Sequence, residues 1–242
     1  MPIDVDTLAP DKRGYADSSI FVTTEWLERH MDDPKVRILD TDGAPQWERA
    51  HIPNSLPVLD HYYKAAEKGR TFIQGPDEFA KTMSALGISD NSLVIGYDSA
   101  GCLYSFRLAW SLRYYGHKQV KVLDGGFPKW LAEGRPLSRT KPSVAPGRFT
   151  ARPDGSIWAG KDDVMAGIGS KDTVILDVRT DDEWDGSNKR DNVRGGRVPG
   201  AVHLEYKNFL TRGDVPTVLP AEDLREILLA HGVTPDKKII TY

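Results

Sequence analysis

A short loop that could hold an anion, residues 98–102, follows the apolar run LVIGY and precedes a helical pattern over residues 103–115. The β-forming residues of the run predict a buried strand, so the loop brings several backbone N–H groups to the start of a helix. Converging amides and the positive end of a helix dipole together favour a bound anion. The sequence therefore predicts an anion cradle at this loop, with Asp98 at its head.

Cys102, the only cysteine, stands at the start of that helix. Amide donors there could lower the pKa of a thiol, whereas the nearby charge of Asp98 would raise it. A packed structural thiol is the favoured interpretation, and Cys102 as a nucleophile is the minor alternative. A phosphatase loop would need five residues between its cysteine and arginine, but four separate Cys102 from Arg107. One cysteine also rules out an internal disulfide framework, and the six histidines show no metal-ligand spacing.

The composition limits the classes of partner. The chain has 242 residues, 39% hydrophobic and 28% charged, with a formal net charge of -3. This balance gives no basic footprint for nucleic acid, and no apolar run is long enough to span a membrane. The N-terminus has no apolar core of a signal peptide, so we expect a cytoplasmic protein whose partners are small molecules.

The elements that must position the loop alternate between strand and helix. This alternation predicts an α/β fold, in which a parallel sheet is flanked by helices. Proline and glycine crowd a later stretch, as in a connection between two compact units. We expect four segments: a loosely packed N-terminal arm (1–18), a first domain (19–137), a linker (138–153) and a second domain (154–242).

The second half repeats the first in order. ILDVRTDDEW answers ILDTDGAPQW, GGRVPGAVHLEY answers RAHIPNSLPVLD, and HGVTPDKKIITY answers LGISDNSLVIGY. Tyr242 answers Tyr97, and Gly232 answers Gly87 at the same offset. The first copy continues beyond its tyrosine with a loop, two helices and a strand. We therefore expect the second copy to be incomplete in this sequence.

These motifs, together with the run GHKQVKVLDGGFPKWLAEGRPL, resemble the tandem-domain rhodanese family over about residues 19–242. The resemblance implies two rhodanese-like domains, of which the first is non-catalytic with Asp98 where a nucleophile would stand. It implies that the catalytic cysteine of the second follows Tyr242 immediately, and that Arg179 binds the anionic sulfur donor. The alternative for Arg179 is an exposed side chain paired with Asp181 or Asp182.

The function that the resemblance implies is sulfur transfer. A cysteine persulfide would carry sulfane sulfur from thiosulfate to cyanide or a thiol acceptor, without a metal or organic cofactor. Glu183 and Trp184 occupy positions where mercaptopyruvate-using members tend to carry a further arginine, so thiosulfate is the favoured donor. A non-catalytic rhodanese-like binding or regulatory module is the alternative, and a monomer is expected.

Overall fold

The computed structural model describes residues 8–58, 73–190 and 192–242. The first seven residues of the predicted arm and His61 lie outside this part of the chain. Contacts between residues divide the chain into two units. Unit 1 contains the described residues up to Ser156 together with Arg212–Val218, and unit 2 contains Ile157–Thr211 and Leu219–Tyr242.

Unit 1 is built on a five-stranded parallel sheet with the order β1-β5-β4-β2-β3. Its strands are β1 (Phe21–Val22), β2 (Val36–Asp40), β3 (Ser55–Pro57), β4 (Leu93–Tyr97) and β5 (Val120–Leu123). Its helices are α1 (Thr24–His30), α2 (Ala44–Arg49), α3 (Pro76–Ala85), α4 (Leu103–Tyr114) and α5 (Gly126–Ala132). Strands that alternate with helices in this way give the α/β architecture that the sequence predicts.

The middle strand, β4, is buried on both faces. Val94 belongs to a core cluster with Phe79 and Leu108, whereas Ile95 belongs to a second cluster with Trp130. Helices cover each face of the sheet, which is why the strand reads as a continuous apolar run rather than an alternating one. The loop after β4 therefore starts from a rigid base.

A buried ion pair anchors residues 8–18. The guanidinium of Arg13 donates to both carboxylate oxygens of Asp124, at 2.7 and 2.8 Å, and Lys129 lies 3.3 Å from the same carboxylate. The hydroxyl of Tyr15 donates to the carbonyl of Val218, at 2.9 Å. Residues 8–18 are therefore packed against unit 1 rather than loose. The sequence pattern gives no signal for these contacts, because the partners are far apart along the chain.

The proline-rich stretch that the sequence predicts as a linker runs extended along unit 1. Ser138 forms an antiparallel bridge with His51, the amide of Arg152 donates to the carbonyl of Tyr115 at 3.0 Å, and Phe149 is buried in the core. Contacts with unit 1 continue up to Ser156.

Unit 2 has a three-stranded parallel sheet with the order β7-β6-β8. Its elements are α6 (Lys161–Gly167), β6 (Thr173–Asp177), α7 (Asp181–Asp185), β7 (Val202–His203), α8 (Ala221–Ala230) and β8 (Lys238–Thr241). The order matches β3-β2-β4 of unit 1, and so does the register: Ile38 pairs with Ile95, and Ile175 with Ile240. The α/β fold with parallel sheets flanked by helices is thus confirmed.

Candidate functional site

A tyrosine ends the same strand in both units and closes the same corner. The hydroxyl oxygen of Tyr97 accepts the backbone N–H of Ile52, at 3.3 Å, and that of Tyr242 accepts the N–H of Val198, at 3.0 Å. The two donating amides come from HIPNS and RVPGA, which answer each other in the repeat. The two units therefore build corresponding strand ends from corresponding residues.

An aspartate ends the neighbouring strand in both units. A carboxylate oxygen of Asp40 accepts the backbone N–H of Asp42, at 2.9 Å, and one of Asp177 accepts the N–H of Arg179, at 3.1 Å. Both aspartates thus brace the loop that follows their strand. The residues whose amides they hold differ in charge: Asp42 in unit 1 and Arg179 in unit 2.

Three groups surround the guanidinium of Arg179: a carboxylate, a backbone carbonyl and an aromatic ring. Its Nε and Nη2 donate to the two oxygens of Asp177, at 2.9 and 2.5 Å, and Nη2 also donates to the carbonyl of Gly196, at 3.0 Å. The guanidinium lies over the ring of Tyr242, 4.9 Å from its centroid. Nη1 makes none of these hydrogen bonds. The fork is therefore fixed at the carboxyl edge of the sheet, where α/β proteins bind ligands.

The ion pair of Arg179 is made with Asp177, not with either of the aspartates that follow it in sequence. Burial opposes ionisation of Asp177, but hydrogen bonds from Arg179 and Tyr242 outweigh it and hold the pKa of this carboxyl below its usual range. The hydrogen bond to Asp177 in turn raises the pKa of Arg179. Arg179 is thus a permanent cation with about a quarter of its side chain exposed (26%).

The loop that brings Gly196 to Arg179 closes through close backbone contacts. Gly186 has φ +90, and a Cβ there would lie 2.8 Å from the amide nitrogen of Gly196, while one at Gly195 would lie 2.5 Å from the carbonyl of Gly186. The guanidinium of Arg190 also holds the carboxylate of Glu183, at 2.7 and 2.9 Å. At Gly186 and Gly195 a side chain would collide with the facing backbone, so only glycine fits at both positions.

In unit 1 the loop after β4 wraps around the carboxylate of Asp98. One carboxylate oxygen accepts the N–H groups of Ala100 and Cys102, at 2.8 and 2.9 Å. The other accepts the N–H and hydroxyl of Ser105, at 2.8 and 2.7 Å. Asp98 is completely buried. The amides do converge, but on a carboxylate of their own chain.

A second carboxylate fills the rest of this corner. Asp42 accepts the N–H of Ser99, at 2.9 Å. Burial raises the pKa of Asp40 to about 6 and also raises that of Asp42, and the charge of Asp98 adds to both shifts. Unit 1 thus has the carboxylate of Asp42 at the position where unit 2 has the cation Arg179.

The thiol of Cys102 lies inside unit 1, with 1% of the residue exposed. Burial raises the pKa of Cys102 well above its usual range, and the charges of Asp98 and Asp124 raise it further. Its Sγ points to the carbonyl of Leu123, at 3.7 Å. A reactive cysteine needs a thiolate and access, so these are properties of a structural thiol.

In the part of the chain that the structure describes, no three His, Cys, Asp or Glu side chains are arranged to hold a metal ion. Among the same residues, every helix is too short or too polar to cross a membrane.

Comparison with known proteins identifies the family. The profile of the rhodanese-like domain matches two segments, residues 23–133 and 161–242. The chain belongs to the rhodanese family. The predicted resemblance is confirmed, and the family is one of sulfurtransferases.

Two relatives and one structure illustrate this membership. The rhodanese chain is 33% identical to the sulfur carrier protein TtuD of Thermus thermophilus, over 95% of this chain and 84% of that protein. It is 28% identical to the thiosulfate sulfurtransferase of Azotobacter vinelandii, over 89% and 79%. It superposes on the 3-mercaptopyruvate sulfurtransferase SseA of Escherichia coli with a TM-score of 0.82, at 25% identity, over 92% and 87% of the two chains.

Sequence reasoning identified three residues of these corners but overlooked two. Arg179, Asp98 and Cys102 lie at strand ends or loops as the pattern indicates. Asp42 and Gly196 were missed. An alignment of ILDTD with ILDVR places Asp42 opposite Arg179, so the signal for Asp42 was present in the repeat.

Proposed function

We propose that this rhodanese transfers sulfane sulfur from thiosulfate to cyanide or a thiol acceptor at the carboxyl edge of the unit 2 sheet. The observation that carries the proposal is the fixed, partly exposed guanidinium of Arg179 between Asp177, Gly196 and Tyr242. Nε and Nη2 donate within the protein, so an oxyanion would be held by the charge of the guanidinium and by the N–H groups of Nη1. Arg179 is the proposed donor-binding residue.

The proposed nucleophile is a cysteine at the position after Tyr242, which answers Asp98 of unit 1. Amides that converge there would stabilise a thiolate and then the departing sulfite. The thiolate attacks the outer sulfur of thiosulfate, a persulfide forms, and sulfite leaves with the electron pair of the broken S–S bond. The acceptor then attacks the persulfide sulfur and restores the thiolate.

Thiosulfate is the proposed donor in preference to mercaptopyruvate. Glu183 stands a few residues beyond Arg179, and its carboxylate holds the guanidinium of Arg190 in two hydrogen bonds. A carboxylate therefore stands where mercaptopyruvate-using members tend to carry a further arginine, which supports thiosulfate as the donor.

The test measures the intact mass of the full chain, including the position after Tyr242, once the protein has been treated with thiosulfate. A gain of about one sulfur atom that cyanide removes, with release of thiocyanate, is the expected result. Cys102→Ser separates the two thiols: the gain should persist in this variant. Loss of the gain in Cys102→Ser would place the chemistry in unit 1 and contradict the proposal.

Substitution of Arg179 tests its role. Arg179→Lys keeps the charge but loses the fork, so KM for thiosulfate should rise about tenfold, with a smaller change in kcat. Arg225→Gln, an exposed site on α8, is the matched control and should leave KM unchanged. Equal KM values for the Arg179→Lys and parent proteins would remove Arg179 from the donor site.

The alternative is a non-catalytic rhodanese-like module that binds an anion or a partner. It is favoured by one observation, the closed, carboxylate-filled loop of unit 1. This module would bind thiosulfate at Arg179 without any gain in mass. Binding measured by calorimetry, alongside the mass experiment, separates the two functions.

A further inference from the structure

A cavity of about 240 Å³ opens in unit 2 and takes no part in the donor step of the proposed sulfur chemistry. It lies where the carboxyl end of β7 meets α7 and α8. His203, at the end of β7, and His231, just after α8, contribute its two rings. Nε2 of His203 also bonds the backbone carbonyl of Arg179, at 3.0 Å, which links the cavity to the arginine.

The hydrogen bonds of the two histidines fix which ring nitrogen is the donor and which is the acceptor in a neutral ring. A carbonyl oxygen only accepts, so Nε2 of His203 donates to Arg179, and Nδ1 of His231 donates to the carbonyl of Ile227, at 2.8 Å. In each neutral ring the other nitrogen then carries a lone pair. Both imidazoles thus offer acceptors.

The remaining polar groups of the cavity are acceptors as well. Asp181 lies at the open rim, 88% exposed, with its carboxylate 3.6 Å from Nδ1 of His203. Glu205 contributes a second carboxylate, which pairs with Lys207 at 2.9 Å, and Asn208 donates one amide N–H to the carbonyl of Glu205, at 3.0 Å, which leaves its oxygen and its second N–H. An acceptor-rich site requires a ligand that donates hydrogen bonds and carries positive charge.

The other wall is apolar and consists of Leu204 and Ile227. A volume of 240 Å³ corresponds to about eight water molecules, enough for a short aliphatic chain. In the described residues no three His, Cys, Asp or Glu side chains are arranged for a metal ion. The cavity therefore suits an organic cation with an alkyl part.

We propose that this cavity binds small aliphatic primary amines, with the ammonium group between Asp181 and the two imidazoles and the alkyl chain on Leu204 and Ile227. The ring of His203 joins this cavity to the backbone of Arg179, the residue whose guanidinium is the proposed donor site. Amine-bearing thiols are therefore the class of acceptor that the site would favour. That last step rests on the proposed function, whereas binding of the amine does not.

The experiment titrates the full chain with n-butylamine, 1-butanol and butyrate, followed by NMR of histidine rings and methyl groups at about pH 8, above the usual range of imidazole. Butylamine should shift the signals of His203, His231 and Ile227 in a saturable manner. Butanol and butyrate, which lack the cationic donors, should bind at least about tenfold more weakly. Equal binding of amine and alcohol, or no saturation with the amine, would overturn the proposal.

Two variants locate the site. Asp181→Asn should weaken butylamine binding about tenfold, because it removes the exposed carboxylate and leaves the fold untouched. Glu222→Gln removes an exposed carboxylate of α8 that does not line the cavity, and should have no effect. An equal loss in both variants would show a non-specific charge effect. Saturable binding of zinc at the two histidines without binding of the amine would also refute the assignment.

A separate kinetic experiment tests whether amine-bearing thiols are the favoured acceptors. With thiosulfate as donor, Asp181→Asn should raise KM for cysteamine about tenfold but leave KM for 2-mercaptoethanol unchanged. Equal KM changes for the two thiols would refute the acceptor class alone. If the full chain transfers no sulfur at all, the proposed function fails, but the butylamine titration still decides whether the cavity binds amines.

Discussion

The two strand-end corners share a backbone but hold charges of opposite sign. Tyr97 and Tyr242 accept equivalent amides, and Asp40 and Asp177 brace equivalent loops. The next side chain differs: unit 1 has a carboxylate, Asp42, where unit 2 has Arg179. The comparison teaches that the same strand-end backbone carries a carboxylate at one copy of this position and a partly exposed cation at the other.

The pKa values of the two bracing aspartates follow this difference. Burial raises the pKa of Asp40 to about 6, whereas the hydrogen bond from Arg179 overcomes burial and lowers that of Asp177. Equivalent positions in equivalent folds thus respond to pH in opposite directions: burial dominates at Asp40, with the charges of Asp42 and Asp98 adding to it, whereas hydrogen bonds from Arg179 and Tyr242 dominate at Asp177.

The largest expected effect tests whether Asp98 closes the unit 1 corner. Asp98→Ala leaves the N–H groups of Ala100, Cys102 and Ser105 buried without their acceptor. We expect a loss of about 3–5 kcal/mol in the free energy of unfolding, measured by urea denaturation. Formate, which supplies a carboxylate of the size removed, should restore part of the loss more effectively than chloride.

The control for this substitution is Asp90, a carboxylate on the surface of the same unit. Asp90 accepts the N–H and hydroxyl of Thr150, at 2.7 and 2.9 Å. Asp90→Ala should cost about 1 kcal/mol, since water replaces the lost acceptor, and formate should restore nothing. Equal costs at Asp98 and Asp90 would mean that the buried carboxylate does not hold the loop closed.

The fold was predictable from sequence because both sheets are made of short apolar runs separated by helical patterns. The strand β2, over VRILD, and the helix α3, begun by Pro76, follow from such local signals. The ion pair of Arg13 with Asp124 was not predictable, because its members are 111 residues apart and neither belongs to a periodic pattern.

The site was predictable only in part, for a related reason. Asp98 directly follows β4 and Arg179 lies two residues beyond β6, and the resemblance to the rhodanese family singled out both. What the converging amides bind depends on the rotamer of one side chain, and the sequence pattern does not specify it. The carboxylate of Asp98 inside its own cradle, and the carbonyl of Gly196 on Arg179, therefore needed coordinates.

A pH series tests the opposite behaviour of the two aspartates. The pKa of Asp40 is raised in the folded state, so this group destabilises the fold progressively as pH rises from about 4 to about 6, and fully above that. Asp40→Asn should therefore increase the free energy of unfolding at pH 7 by about 1–3 kcal/mol and give no gain below about pH 4. Urea denaturation at several pH values measures the difference.

Asp177→Asn should act in the other direction. A lowered pKa means that the ionised carboxyl stabilises the fold above its unfolded pKa, and that this contribution is lost as pH falls through the folded pKa. The substitution should thus destabilise the protein at neutral pH and matter progressively less in acid. Changes of the same sign for Asp40→Asn and Asp177→Asn at pH 7 would break the comparison.

The smallest expected effect concerns a ring contact that also differs between the units. His51 is fully buried and stacks on Trp47, with centroids 3.9 Å apart, whereas Arg197, which answers it in the repeat, lies exposed over Trp184, 4.4 Å from the ring. An exposed cation over an aromatic face contributes only about 0.5–1 kcal/mol. Arg197→Met should cost no more than this, read from hydrogen exchange of amides in β6.

His51→Met provides the contrast within unit 1. It removes a buried ring whose Nδ1 donates to the carbonyl of Trp47, at 2.8 Å, and leaves that acceptor without a partner. Hydrogen exchange of the β2 amides should show a loss of about 2 kcal/mol in the free energy that protects them. A larger cost at Arg197 than at His51 would mean that the exposed stack, not the buried one, determines the stability of its corner. His51 and Arg197 would then differ in a further property besides charge and burial.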